Sequence, residues 1–123
     1  MTLTDKFISN LRAYEQKDLQ GVAALFAEDI FLRDWKIAVH GKDEVLRETQ
    51  KNFDAGDNIS IDVLRTYEDN NTVIAELHII VENSEEIYVT DIATFNSDGL
   101  SLRSAPTLVV KIKWSRRLKS GVR

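Results

Sequence analysis

Cysteine is absent from the 123-residue chain. That excludes a disulfide scaffold, a Cys-ligated zinc or iron–sulfur centre, and thiol catalysis. One proline, Pro106, and five glycines are too few breakers for a collagen-like or low-complexity chain. No apolar run approaches the roughly 20 residues of a membrane span, and Met1 to Lys6 lacks the charged-then-apolar profile of a secretory signal. Also missing are a G-x-S-x-G elbow, a P-loop, the glycine set of dinucleotide folds and H-E-x-x-H. What remains is 43% hydrophobic and 29% charged, the mix of one globular domain. A soluble, cytoplasmic protein without a membrane partner is expected.

Charge is divided along the chain. Residues 1–98 hold all twenty Asp and Glu against nine Lys and Arg, a net of −11. Residues 99–123 hold seven Lys and Arg and no acid. An acidic body does not suit a nucleic-acid reader, which needs a basic face on its folded part. The basic close reads as a solubilising extension.

The first half carries helical signals. Thr2 with Asp5 resembles a capping pair, and Leu3, Phe7, Leu11 and Tyr14 follow at helical spacing. Asp18 is a second N-cap candidate, before Leu19, Val22, Ala23 and Phe26 on one face. A third helix follows Gly41, with Val45, Leu46, Thr49 and Phe53 inward. Between them Asp29 to Trp35 alternates like a strand, with Ile37 to Val39 as a short companion. The second half reads as strands over 58–68, 72–82, 86–96 and 100–105, separated by Asn-, Ser- and Gly-rich turns. Helices first and an antiparallel meander after make an α+β fold.

The segment Lys17 to Asp29, with Asp18, Gly21, Val22, Leu25, Phe26, Ala27 and Asp29 in order, resembles the opening D-x-x-G-[IV]-x-x-L-F-A-x-D of the nuclear transport factor 2-like superfamily. The resemblance continues through Arg33-Asp34-Trp35, His40-Gly41 and Asp91 to Asn96, covering residues 5 to 105. It points to the ketosteroid isomerase-like and SnoaL-like branches. It implies a cone: a strongly curved antiparallel sheet wrapped round three helices, the cystatin-like α+β barrel, with an apolar pocket at one end. The fold hosts many activities, so it implies no single reaction. Residues 1–105 are then one SnoaL-like domain and 106–123 an atypical basic extension. In that extension Thr107 to Trp114 is expected to be at most an edge strand, and Ser115 to Arg123 disordered.

Two carboxylates carry the candidate chemistry. Asp34 shares parity with Ile30 and Leu32, and the resemblance puts it where ketosteroid isomerases keep a general-base aspartate. The structural alternative is a strand-end carboxylate, solvated or paired with Arg33 or Lys36. Asp91 sits in the row Ile87, Val89, Asp91, Ala93, Phe95, where desolvation raises a carboxyl pKa. The resemblance puts Asp91 where ketosteroid isomerases keep a protonated carboxyl that donates to the developing oxyanion. The alternative is a core Asp bonded to backbone or to a tyrosine. The family's oxyanion tyrosine falls at Asn10, a weaker acid, with Tyr14 one turn on.

Asn10, Tyr14, Trp35, His40 and Phe53 complete the candidate ligand contacts. An open cavity lined by both carboxyls favours proton-transfer chemistry on an apolar carbonyl or hydroxyl compound. One filled by Tyr14, Phe53 and Trp35 favours a non-catalytic ligand-binding or dimerisation module. Glu76 and His78 at i, i+2 lack a third ligand, so no metal and no cofactor are expected. Their face, with Ile74 and Ile80, is a candidate homodimer surface.

Overall fold

A computed structural model describes residues 1–56 and 58–113. Helix α1, Leu3–Glu15, opens with a full capping box. The Asp5 amide donates to Thr2 Oγ1 at 3.0 Å and the Thr2 amide to Asp5 Oδ2 at 3.1 Å. Two amides without intrahelical partners are thereby satisfied. Helix α2 is short, Leu19–Ala23, and Asp18 caps it by accepting from the Gly21 amide at 3.0 Å. Helix α3, Lys42–Asp54, starts at Gly41, whose φ of 96° suits a residue without a Cβ. Its inward row is Val45, Thr49 and Phe53, and the Thr49 hydroxyl donates to the Val45 carbonyl at 2.9 Å, so its burial leaves no donor open.

The strands are β1 Phe26–Arg33, β2 Ala38–His40, β3 Ile59–Asp69, β4 Thr72–Val81, β5 Glu85–Phe95, β6 Ser101–Ser104 and β7 Thr107–Lys113. They form one open sheet in the order β2-β1-β6-β5-β4-β3, with β7 also on β5. The sheet is mixed, not wholly antiparallel, because β1 runs parallel to β6. The intervening α3 and three-strand meander provide the crossover that a parallel pair requires. The α+β cone is thus present, but its sheet does not close into a barrel.

Two sequence expectations shift here. Phe26 was expected on the second helix, but it begins β1 opposite Ser101, and the Ser101 amide donates to the Leu25 carbonyl at 2.6 Å. Strand pairing overrides an amphipathic pattern too short to hold a helix. Strand β1 consequently starts earlier than Asp29 and ends at Arg33, leaving Asp34 and Trp35 in a bend.

β6 and β7 cover successive halves of one β5 edge. Ile92 and Ala105 exchange backbone hydrogen bonds, and Thr90 pairs with Thr107. Pro106 therefore falls opposite Asp91, at a non-hydrogen-bonded position where its missing N–H costs nothing. Beyond it β7, Thr107–Lys113, pairs with β5 alone; Trp114, the last residue of the edge strand expected from the sequence, lies outside the described residues. Ser115 to Arg123 lie outside the described residues.

The core lies between the helices and the inner sheet face. Phe7 and Leu11 from α1 meet Ile61, Val73, Ala75, Leu77, Val89 and Phe95. Each fully buried side chain of this kind contributes about 1.5–3 kcal/mol. No helix among the described residues is long and apolar enough to cross a membrane.

Candidate functional site

Strand alternation carries Asp91 into this core. Its neighbours on the inner row of β5 are Val89, 2% exposed, and Ala93, 3% exposed, while Asp91 is 8% exposed. Its cross-strand partner on β4 is Ala75, fully buried. Asp91 Oδ1 is sealed from solvent and has no hydrogen-bond partner. Burial raises the carboxyl pKa to about 7, opposed only by the backbone amide of Ile92. Near neutral pH this group is a carboxylic acid as much as a carboxylate. A neutral acid donates, so it can bond a carbonyl oxygen or pass it a proton.

Tyr14 forms a second polar point on the helical side. Its ring packs edge-on against Phe53, with centroids 5.0 Å apart. Its hydroxyl accepts from Asn52 Nδ2 at 3.0 Å. Desolvation raises the phenol pKa, Asn52 lowers it, and the nearby charge of Asp34 raises it again. Asn52 was not singled out from the sequence, because a polar residue on an exposed helix turn carries no signal of its own.

The other candidates are placed differently. Asp34 lies one residue beyond β1, half-buried, with its charge near Tyr14. Its Oδ1 accepts from the amides of Lys36 at 2.7 Å and Ile37 at 2.8 Å, closing the bend that joins β1 to β2. This is the usual turn role of aspartate. Asn10 donates to the Val22 carbonyl at 2.9 Å and ties α1 to α2. Trp35 is 39% exposed in the bend. His40 is exposed and pairs with Phe31, on the opposite face of β1 from buried Ile30. Tyr14 and Phe53 come together; Asn10, Trp35 and His40 do not join them.

Two concavities lie away from both carboxylates. One, of about 230 Å³, lies between α1, α2 and the β5–β6 turn, and Lys6, Asn10 and Leu25 line it. The other, of about 360 Å³, is a groove on the outer sheet face lined by Leu64, Tyr88, Thr90 and Val110. Leu64 and Val109 are the extra residues of bulges in β3 and β7, 56% and 61% exposed. Nearby, His78 stacks on Tyr88 with ring centroids 4.6 Å apart. Its Nε2 bonds Glu86 Oε1 at 2.9 Å rather than Glu76.

Residues 8–103 match the SnoaL-like domain. Among solved structures, an LEH-like epoxide hydrolase of M. tuberculosis is 14% identical with a TM-score of 0.76, the match covering 87% of this chain and 82% of that one. The epoxide hydrolase/cyclase-like enzyme SalBIII, which has a role in pyran ring formation in salinomycin, is 14% identical with a TM-score of 0.80, covering 91% and 95%. A computationally designed 17-OHP binder is 16% identical with a TM-score of 0.79, covering 92% and 96%. No curated protein sequence matches the chain.

Proposed function

Because the chain belongs to the SnoaL-like domain family, we propose that it binds a small apolar molecule bearing a carbonyl or hydroxyl group, with Asp91 as the hydrogen-bonding and proton-donating group. One observation carries this reading: Asp91 Oδ1 is buried without a partner. Such an atom costs about 1–3 kcal/mol unless something meets it, and native proteins retain few. A ligand oxygen would meet it in surroundings where a neutral acid is a strong donor. The similar folds of an epoxide hydrolase, a cyclase-like enzyme and a designed binder support small-molecule binding by this fold. Tyr14, half-buried beside Phe53, is the second polar group available to such a ligand.

The test is native mass spectrometry of the purified protein, followed by extraction and identification of any retained compound. Retention of a small organic molecule by the wild type and its loss from Asp91→Leu supports the reading. Equal retention by both variants, outside the core, contradicts it.

A second reading is a non-catalytic module that pairs with another copy of itself. Asp34 favours it, since two turn amides hold its Oδ1 and give the carboxylate a structural part in the β1–β2 bend. So does the outer sheet face, where Tyr67, Ile92, Val110 and Ile112 are 36–49% exposed around an internally bonded His78–Glu86 pair. A second copy covers this face with few unpaired charges in its centre.

A further inference from the structure

Helix α1 has a second face with a polar set of its own. Its period sends Phe7 and Leu11 to the core and puts Lys6, Ser9 and Asn10, at i, i+3 and i+4, on a different side. Helix α2 and the β5–β6 turn flank that side and leave the concavity of about 230 Å³ described above. Half-buried Leu25 and Leu100 give it an apolar lining. Asn10 is fixed in its wall by the bond from its Nδ2 to the Val22 carbonyl at 2.9 Å.

Two opposite charges line this concavity without meeting. Lys6 is half-buried, and Asp98 is exposed on the turn. Among the described residues neither side chain makes an ion pair or a hydrogen bond, with the other or with anything else. A cation partly withdrawn from water is held at a cost that a partner would offset. Gly99 lets the cation lie there: its φ of 75° is in the left-handed region, and a Cβ on it would overlap Lys6 Nζ. The ammonium rests against bare backbone, from which any other residue at 99 would displace it.

We propose that this concavity binds an apolar α-amino acid as its zwitterion. The carboxylate meets Lys6, the ammonium meets Asp98, and the side chain lies on Leu25 and Leu100. Each protein charge then gains the partner that it lacks in the fold. A simple carboxylate would be repelled by Asp98 and a simple amine by Lys6, so the paired charges select a ligand that carries both. The concavity is smaller than the about 300–1,000 Å³ of pockets for drug-sized molecules, which suits a ligand of amino-acid size. This site is separate from Asp91 and does not depend on the reading given for it.

The experiment compares L-leucine with 4-methylpentanoate, which lacks the amine, and 3-methylbutylamine, which lacks the carboxylate, by amide chemical-shift titration at pH 7. L-Leucine should shift the amides of Lys6, Leu25 and Gly99. It should bind about fivefold more tightly than either analogue, the upper end for a partly exposed ion pair. Lys6→Met and Asp98→Asn should each remove about that factor from leucine. Lys6→Met should bind 3-methylbutylamine no more weakly than wild type, an outcome that mere damage to the fold would not give. Lys6→Gln repeats the test should the first variant fold poorly. Equal affinity for the three compounds, or leucine binding unaffected by both substitutions, overturns the inference. So do shifts confined to the inner-row amides of Val89 and Ala93, and so does the absence of any shift up to the solubility of leucine.

Discussion

Raising the pH should destabilise this protein through Asp91, and the size of the effect follows from its burial. The carboxyl titrates near 3.8 when free and at about 7 in the fold, because desolvation penalises the anion. The folded state therefore holds a proton that the unfolded chain has released between these values. Stability contributed by the neutral acid is complete below pH 3.8 and is lost as pH rises through about 7. Just over three pH units at about 1.4 kcal/mol each make the loss about 4 kcal/mol. For a domain of this size that is roughly 15 °C in Tm. Other acids also titrate over this range, so the quantity to measure is a difference. Urea unfolding of wild type and Asp91→Asn at pH 4 and pH 8 cancels their contribution. Wild type should lose about 4 kcal/mol relative to the variant between the two pH values, whatever the constant offset from the amide. Parallel stability curves would show that Asp91 is solvated or already partnered, and the reasoning would fail.

Three further outcomes follow. Thr2→Ala should cost about 1 kcal/mol in chemical unfolding by removing the cap of α1, with Thr2→Ser retaining most of it. Tyr14 should ionise above the ordinary 10 in an ultraviolet pH titration referenced to Tyr14→Phe, because desolvation of its phenol, aided by the charge of Asp34, outweighs the Asn52 hydrogen bond. Sedimentation at high micromolar concentration should show a dimer that Val110→Asp converts to monomer; a monomeric wild type removes the self-pairing reading.

Much of this fold was legible locally. Thr2 and Asp18 each declare a helix start through the oxygen they offer the backbone, and Gly41 through the positive φ that it can adopt. The inward row of β4 and β5 follows from period-two alternation, which by itself puts Asp91 among the core residues. What alternation could not supply was pairing. Phe26 fits either a helix face or a strand, and only Ser101, 75 positions away, decides it. Asp34 shares parity with Ile30 and Leu32 in the sequence, but alternation does not show that the strand stops one residue before it or that turn amides bind its Oδ1. The bulge at Val109 inverts every later side chain of β7, and a single inserted residue leaves no trace in composition. Pro106 was a signal that could have been used: a lone proline between two alternating runs marks a non-hydrogen-bonded position on an edge.

The proton-donor role of Asp91 requires its carboxyl to stay protonated up to about pH 7. Carboxyl-carbon NMR across pH 2 to 10, with Asp91→Asn identifying the resonance, measures this without reference to any ligand. A midpoint near 7 for Asp91 is the result expected from its burial. A midpoint near the 3.9 of a free aspartate would contradict both its desolvation and its role as a proton donor.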